Sequence, residues 1–306
     1  MSMPSPFRNA AFELARPDLS VLIPFYRESP LDLLKTLSSR DPHAIEIILL
    51  DDGSGRPDIT AEVTAFIQTS PLACELITLT ENEGRSRGRN RLTTAARGET
   101  FLFLDSDMLP DDAGFLDRWL SVAHEKPAVV FGGFSLLQAP RDAKFAVHRR
   151  MAGHGDCLPA SERLKQPEKY VFTSNLLVRR DVFDFEGFDP NFTGWGWEDV
   201  EWAMRVAARY GVGHIDNTAT HMGLDTAETL ARKYEQSAAN FARVIAKHPD
   251  VVSQYPSYKV ARLLKKLPLR SLLRTTARSL AMMPLPAAMR ARLLRLYRAA
   301  LYAEVV

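Results

Sequence analysis

The sequence predicts an α/β fold built on a central, mostly parallel sheet, followed by a basic helical tail. Short apolar segments of strand length alternate with segments of helical periodicity through the first half of the chain. The strand-like segments are predominantly apolar, which is typical of parallel strands covered on both faces. Polar clusters directly follow four of these segments, at the position where ligands bind in sheets of this kind.

The predicted elements follow one another in a regular order. Strands are predicted at residues 20–23, 45–50, 76–79, 101–104, 129–133, 171–178 and 212–215. Helices are predicted at residues 31–37, 59–67, 87–96, 200–210 and 226–248. Pro24 is expected to end the first strand. Residues 134–170 lack clear periodicity, and a long irregular segment in a compact enzyme is typical of a functional loop or lid.

Composition permits an ordinary enzyme. Hydrophobic residues make up 46% of the 306 residues, enough for one large core or two smaller ones. The two cysteines, Cys74 and Cys157, are too few for a disulfide framework, so the reducing cytoplasm is the expected location. No apolar segment approaches the ~20 residues that a membrane-spanning helix needs.

Charge is unevenly distributed along the chain. The formal net charge is +2, but residues 251–306 hold 11 Lys and Arg residues and one acid, Glu304. We therefore divide the chain into a predicted catalytic domain, residues 1–250, and a basic amphipathic tail, residues 251–306. Basic amphipathic helices are typical of membrane surfaces, which predicts an anionic membrane partner and a peripheral position at the inner face of the cell membrane. The alternatives are packing on the acidic body and dimerisation; nucleic acid is not an expected partner, because no recognised binding module is visible.

Indole rings flank an acidic pair in the sequence Gly-Trp-Gly-Trp-Glu-Asp at residues 194–199. Trp195 and Trp197 offer flat apolar faces and Glu198 offers hydrogen-bond acceptors, a combination typical of sugar binding. Glu198 and Asp199 fall in the first turn of a predicted helix, where the helix dipole favours negative charge. The alternative interpretation is a buried aromatic turn followed by an acidic helix cap.

A second acidic cluster, Asp-Ser-Asp at residues 105–107, follows a predicted apolar strand. One carboxylate of such a turn can bind a sugar or ribose hydroxyl while the other binds a hard divalent cation, whose remaining ligands a diphosphate supplies. His221 follows another predicted strand and could complete the metal site, since imidazole is also a ligand of manganese. The alternative role for His221 is a structural hydrogen bond.

These motifs together resemble glycosyltransferase family 2, with the nucleotide-sugar-binding fold called GT-A, over roughly residues 19–222. Residues 20–28 resemble the opening strand of that family, residues 51–54 its uracil-binding turn and residues 105–107 its metal motif. Asn82-Glu83-Gly84 together with Arg89-Asn90 resembles the helix that closes over the nucleotide. Residues 188–205 resemble the galactosyltransferase-type C-terminal motif of chondroitin polymerases and animal β-1,4-galactosyltransferases, with Trp197 in place of the usual glycine.

The resemblance implies a role for each matching residue. It assigns Tyr26 to stacking on the base, Asp52 to its imide N–H, Asp105 to the ribose or sugar, and Asp107 and His221 to Mn²⁺ or Mg²⁺. It assigns Asp199 as the general base that takes the proton of the acceptor hydroxyl, and Trp195, Trp197 and Glu198 to acceptor binding. The rest of the implied nucleotide-sugar site comprises Pro24, Glu28, Asn82, Arg89 and Ser106.

Three classes of function are consistent with the sequence. The first is an inverting, divalent-metal-dependent glycosyltransferase. It would move a sugar from a nucleotide-sugar, expected to be a UDP-sugar, to a saccharide or lipid-linked saccharide acceptor in surface or capsular polysaccharide synthesis. The second is a nucleotide-sugar hydrolase or a nucleotidyltransferase on a related fold. The third is a non-catalytic carbohydrate-binding protein, which would not need Asp105, Asp107, Asp199 and His221 together.

Overall fold

The computed structural model describes residues 6–306. Its strands are β1 (Phe7–Arg8), β2 (Leu19–Phe25), β3 (Ile45–Asp51), β4 (Ala73–Thr78), β5 (Thr100–Leu104), β6 (Met108–Pro110), β7 (Val129–Phe131), β8 (Phe134–Ser135), β9 (Asn175–Arg179), β10 (Gly213–His214) and β11 (Ala219–His221). All seven strands predicted from the sequence correspond to strands of the structure, with boundaries that differ by a few residues.

Helices account for most of the remaining described chain. The α-helices are α1 (Ala10–Leu14), α2 (Leu31–Thr36), α3 (Pro57–Gln68), α4 (Arg85–Ala95), α5 (Phe115–His124), α6 (Ala146–Ala152), α7 (Ala160–Arg163), α8 (Arg180–Phe185), α9 (Glu198–Tyr210), α10 (Ala227–Lys247), α11 (Pro249–Val252), α12 (Pro256–Lys265), α13 (Arg270–Met282) and α14 (Ala287–Tyr302). Short 3₁₀ helices span Pro42–Ala44, Ala143–Phe145 and Pro167–Tyr170. The segment 134–170, which lacks periodicity in the sequence, thus contains short helices as well as loops.

The main sheet is mostly parallel, as predicted. Its eight strands lie in the order β1-β4-β3-β2-β5-β9-β7-β10. The central strands β4, β3, β2 and β5 run parallel to one another, whereas β9 runs antiparallel to both β5 and β7. A second sheet has the order β6-β11-β8. The carboxyl ends of β2, β3 and β5 therefore meet at one edge, where the polar clusters begin.

Strand β2 continues past its predicted end through Pro24 to Phe25. Its pairing with β5 stops at Leu22, whereas its pairing with β3 continues to Phe25. Proline is tolerated at a strand position where its missing N–H is not needed for the ladder. Pro24 satisfies that condition because β2 has lost its β5 neighbour there.

Two apolar layers cover the two faces of the main sheet. Val21 and Ile23 pack on one face with α2, α3 and α5, and Leu22 packs on the other with α4 and α9. Alternate residues of a strand point to opposite faces, so a continuous apolar strand serves both layers. This arrangement explains why apolar residues occupy most positions of the central strands.

The C-terminal helix α14 packs against the body of the protein. Leu294, Tyr297 and Leu301 are buried in a cluster that also contains Phe241 of α10 and Val147 of α6. The interpretation in which the tail packs on the body is therefore correct for α14. Within residues 6–306, no helix is both long enough and apolar enough to cross a membrane.

Candidate active site

The candidate site lies at the carboxyl edge of the main sheet. Tyr26, Asp52 and Asp105 each come directly after a strand, namely β2, β3 and β5. The Asp52 N–H donates to the Phe25 carbonyl over 3.0 Å, which joins the first two strand ends. The structure therefore brings together clusters that lie far apart in the sequence, as the parallel arrangement predicted.

The loop after β2 is open to solvent. Tyr26 is 41% exposed, and the Arg27 guanidinium lies 4.9 Å from the centre of its ring. Glu28 is also exposed, whereas Pro24 is half-buried within β2. The exposed face of Tyr26 is therefore available to a flat ligand, as its predicted role requires.

Asp52 connects the loop after β3 to the loop before α4. Its carboxylate accepts hydrogen bonds from the backbone N–H groups of Glu83 (2.8 Å) and Gly84 (3.0 Å) and from the side-chain amide of Asn82 (3.0 Å). Burial raises the pKa of Asp52 above its ordinary value, and the two backbone N–H groups oppose that effect. Asp52 and Asn82, both predicted site residues, are thus in direct contact.

Asp105 is held by two side chains. Arg89, which is almost fully buried, donates to Oδ1 over 2.5 Å, and Ser174 donates to Oδ2 over 2.9 Å. Burial acts to raise the pKa of Asp105, but the charges of Arg89 and Arg85 and these hydrogen bonds outweigh it and hold the pKa below its ordinary value. Asp105 is therefore ionised and fixed in orientation, and the half-buried Ser106 follows it.

Asp107 and His221 form the pair predicted to bind a metal. The Nε2 atom of His221 lies 3.3 Å from Oδ2 of Asp107, and both side chains remain about a quarter exposed. Burial acts to lower the pKa of His221, but the adjacent Asp107 carboxylate outweighs it and raises the pKa above its ordinary value. The residues that the structure describes contain no group of three or more His, Cys, Asp or Glu side chains able to hold a metal. A cation here would therefore have two protein ligands, Asp107 and His221, and the bound diphosphate would supply the remaining ones.

Gly223 keeps space open beside this pair. A Cβ atom at this position would lie 2.0 Å from Oδ2 of Asp107 and 3.3 Å from Nε2 of His221. Any larger residue would therefore collide with the atoms that would bind the cation. The absence of a side chain at this position, together with a carboxylate and an imidazole at its rim, fits a divalent ion of the manganese or magnesium type.

His148 of α6 is a neighbour of this pair that the sequence reasoning passed over. Its ring centre lies 6.0 Å from that of His221, and its Nδ1 atom accepts the N–H of Asp225 over 2.7 Å. Burial and the neighbouring His221 lower the pKa of His148 to about 4. Because His148 lies in the irregular segment 134–170, the sequence contained no spacing that could have linked it to His221.

Glu198 and Asp199 occupy the first turn of α9, facing the same cleft. Glu198 is 5% exposed, and its Oε2 atom is buried without a hydrogen-bond partner among the described residues. Burial and the adjacent charge of Glu198 raise the pKa of Asp199 to about 7. A buried carboxylate oxygen without a hydrogen-bond partner lowers the stability of a folded protein. The unpartnered Oε2 atom therefore indicates a position where a ligand hydroxyl could donate a hydrogen bond.

Arg85 is the main site residue that the sequence analysis missed. Its Nη1 atom lies 3.8 Å from Oε1 of Glu198, and its side chain is 44% exposed. Its charge also interacts with those of Asp105, Asp107 and Asp199, so it lies among these acidic groups of the cleft. The sequence did contain a signal for Arg85: it lies four residues before Arg89, a predicted site residue, so the two share one face of α4.

The two tryptophans have different environments. The Trp197 indole N–H donates to the Tyr302 hydroxyl over 3.0 Å, and its ring lies 4.8 Å from that of Phe241. Trp195 is half-buried, 6.3 Å from the Tyr234 ring, with the Lys233 amine 5.7 Å from its own ring. Trp197 is therefore anchored to α10 and α14, whereas Trp195 retains more freedom to contact a ligand.

Trp197 also occupies a backbone conformation that favours glycine. Its φ angle is 75°, following Gly196 with φ 90°. A non-glycine residue in the left-handed region costs roughly 1–2 kcal/mol, which explains why glycine is usual at this position of the motif. The contacts with Tyr302 and Phe241 offset that cost.

Trp197→Ala should lower the free energy of unfolding by about 2–3 kcal/mol, because it removes the ring contacts and leaves the strained backbone. Trp197→Gly is the matched variant: it loses the same contacts but relieves the strain, so it should be roughly 1 kcal/mol more stable than the alanine variant. Denaturant unfolding measures both values. Equal stability of the two variants would contradict the strained conformation.

Taken together, the mostly parallel sheet and the acidic cleft at its carboxyl edge define a GT-A fold of the nucleotide-sugar-binding class. The chain belongs to glycosyl transferase family 2, whose family model matches residues 20–185. The matched segment contains Asp52 and Asp105, whereas the segment 194–199 and His221 lie beyond it.

Individual relatives have modest sequence similarity. Mouse polypeptide N-acetylgalactosaminyltransferase 12 is 27% identical over 213 residues, which covers 62% of this chain and 37% of that protein. The O-antigen biosynthesis protein RfbC of Myxococcus xanthus is 28% identical over 215 residues, covering 63% of this chain and 16% of that protein. This chain therefore spans less than half the length of these curated relatives.

A solved structure confirms the fold over nearly the whole chain. The mannosyltransferase PcManGT from Pyrobaculum calidifontis, determined in complex with GDP-Man and Mn²⁺, superposes with a TM-score of 0.59 at 20% identity. The match covers 97% of this chain and 89% of that structure.

Proposed function

We propose that this protein is a glycosyltransferase that moves a sugar from a nucleotide-sugar, a UDP-sugar, to a hydroxyl group of a saccharide acceptor. The observation that carries the proposal is the cleft around Arg85, where Asp105, Asp107, Glu198 and Asp199 converge. Family membership and the GT-A fold support the same class of reaction. All residues assigned to catalysis and binding lie in the proposed catalytic domain, residues 1–250.

The donor would occupy the half of the cleft between β2 and α4. The exposed ring of Tyr26 would stack on the base, with Pro24 and Glu28 on the same loop. Asp52 and Asn82 would contact the polar edge of the base, since a carboxylate oxygen can accept more than one hydrogen bond. Asp105, oriented by Arg89 and followed by Ser106, would bind the ribose or the sugar.

A divalent ion, Mn²⁺ or Mg²⁺, would be held by Asp107 and His221 beside the space that Gly223 leaves open. When bound, such an ion supplies positive charge that stabilises the diphosphate as a leaving group. The guanidinium of Arg85, in the same cleft, can add a further positive charge close to that group. Glycosyltransferase structures with Mn²⁺, such as PcManGT, support a metal in this role.

Asp199 would act as the general base. It would take the proton of the acceptor hydroxyl as the acceptor oxygen bonds to the anomeric carbon and the bond from that carbon to the diphosphate breaks. A pKa of about 7 suits this role, because a base works best when its pKa lies near the working pH. Direct displacement of this kind inverts the anomeric carbon. Glu198, with its unpartnered oxygen, would bind another acceptor hydroxyl.

The biological setting that we propose is the synthesis of a surface or capsular polysaccharide on a saccharide or lipid-linked saccharide acceptor. The similarity to an O-antigen biosynthesis protein supports it. With only two cysteines and a basic tail, the protein would work in the cytoplasm, peripheral to the inner face of the cell membrane.

The decisive experiment is a panel of nucleotide-sugars assayed for UDP release with Mn²⁺, with and without saccharide acceptors. A transferase releases UDP at a rate that depends on the acceptor. A nucleotide-sugar hydrolase releases it equally fast without one. A nucleotidyltransferase releases no UDP and instead converts the nucleotide-sugar and added pyrophosphate into UTP and a sugar 1-phosphate, and a carbohydrate-binding protein does neither. Asp199→Asn protein serves as the matched control for contaminating activity.

Trp195→Ala should raise the acceptor KM by about tenfold and leave the affinity for UDP unchanged, because a sugar face stacks on the indole away from the nucleotide. Trp195→Phe keeps a flat apolar face and should restore most of the acceptor affinity. Initial rates at varied acceptor concentration and UDP titration measure the two effects. Equal loss of UDP binding and transfer would instead identify Trp195 as a structural residue.

A further inference from the structure

Helices α12 and α13, with the turn between them, expose an unusually apolar surface. Of the fourteen large hydrophobic side chains that are exposed in the described chain, nine lie in the tail. Those on α12, α13 and the intervening turn are Val260, Leu263, Leu267, Leu269, Leu272 and Leu280. We call this set, with the basic residues among it, the tail surface.

On α12 and α13, most of the leucines face solvent, whereas in an amphipathic helix the large apolar side chains ordinarily face the core. The inner positions of α13 are the small residues Ala277 and Ala281, and those of α12 are Ala261 and Leu264. Most of the larger apolar side chains therefore face away from the body: Leu263 is 64% exposed and Leu269 68%. A set of exposed large apolar side chains on neighbouring helices marks a candidate interaction site.

The same surface is strongly basic. Residues 256–282 contain seven Lys and Arg residues and no acid. Arg274 pairs with Glu304, and Arg278 lies 3.7 Å from Glu235. Lys259, Arg262 and Lys266 have no ion-pair partner within residues 6–306 and remain available for an external anion.

We propose that the tail surface docks on an anionic lipid membrane. Leucines placed among lysines and arginines on short helices are suited to the boundary between headgroups and acyl chains, where the apolar side chains insert and the cations meet lipid phosphates. A second copy of the chain fits less well, because a two-fold contact would place cations against cations. The docking does not depend on the transferase reaction, since none of its residues is in the candidate active site.

Helix α14 has no part in the lipid contact. Its apolar face, which contains Leu294, Tyr297 and Leu301, is buried against α10 and α6. It instead links the docked helices to the catalytic body, and its Tyr302 contacts Trp197 in the candidate site. Docking would therefore hold the cleft at a fixed orientation to the membrane.

The test is co-sedimentation of the full-length protein with vesicles of phosphatidylcholine, alone or mixed with phosphatidylglycerol. Binding should require the anionic lipid and should weaken as salt is added, because salt screens the attraction between charges. The double variant Lys259→Glu/Lys266→Glu should weaken binding by at least roughly tenfold. Leu269→Ser/Leu272→Ser should remove the part of the binding that resists salt.

Matched controls separate docking from folding and from general charge. Lys35→Glu changes an exposed lysine on α2, and Leu137→Ser changes a leucine that is 77% exposed outside the tail; neither should alter vesicle binding. UDP affinity of every variant should equal that of the unmodified protein. The proposal is overturned if the unmodified protein ignores anionic vesicles at low salt, if it binds neutral vesicles equally well, or if the tail variants bind unchanged. Loss of concentration-dependent dimers in the leucine variant would instead identify a surface for a second copy.

Discussion

Asp199→Asn should lower the turnover of sugar transfer by about 10²–10⁴-fold, while the affinity for UDP remains nearly unchanged. Asparagine keeps the shape and hydrogen-bonding capacity of the side chain but cannot take the proton of the acceptor hydroxyl. Initial rates of acceptor-dependent UDP release and a UDP titration measure the two quantities. The control is Asp184→Asn, which makes the same change at an exposed site on α8 and should retain full activity.

The pH dependence of the reaction provides a second readout for the same residue. Burial and Glu198 raise the pKa of Asp199 to about 7, so the free carboxyl is protonated and inactive as a base below that pH. The value of kcat/KM should therefore rise with pH through about 7 and level off above it. The residual rate of the Asp199→Asn protein should lack this inflection. Near-normal turnover in that variant would remove Asp199 from the role of base.

Removal of the divalent ion should abolish transfer and weaken UDP binding, and Mn²⁺ or Mg²⁺ should restore both. Asp107→Ala should lower metal-dependent UDP affinity by roughly 10- to 100-fold or more, since loss of even an outer contact of a metal site has an effect of that size. Affinity measured in EDTA should change little, because Asp107 would contact the nucleotide only through the cation. Calorimetric titration with UDP, with and without Mn²⁺, measures these differences.

Two controls make the metal experiment specific. Asp184→Ala removes a carboxylate at the surface and should leave the metal dependence intact. Gly223→Ala keeps both ligands but places a methyl group against Asp107, so it should weaken metal-dependent UDP binding as Asp107→Ala does. Equal UDP affinity with and without metal in the unmodified protein would refute the assignment of Asp107 and His221.

Much of the fold could be predicted because its signals are local. The central strands are apolar at most positions, and a chain of short apolar strands and helices has few arrangements other than a covered parallel sheet. That topology also brings the segments after β2, β3 and β5 to one edge. Tyr26, Asp52 and Asp105 could therefore be grouped before any distance was known.

The predictions were weaker where two distant segments had to meet. Arg85, His148 and Tyr302 all border the candidate site, yet each is far in sequence from the residue it contacts. The pairing of His148 with His221 depends on how an irregular segment folds against β11. The contact between Tyr302 and Trp197 depends on where the last helix returns to the body, which no local pattern encodes.

The tail shows most clearly the difference between what local sequence predicts and what distant contacts decide. Its sequence alone predicted basic amphipathic helices within residues 251–306, because apolar residues recur at helical spacing among lysines and arginines. Only the tertiary structure decided that α14 buries Leu294 and Leu301 while α12 and α13 expose Leu263, Leu272 and Leu280. The physical reason is that periodicity defines an apolar face, but the surface available to cover that face is supplied by distant parts of the chain. Here α10 and α6 cover the apolar face of α14, whereas no described part of the chain covers the exposed leucines of α12 and α13.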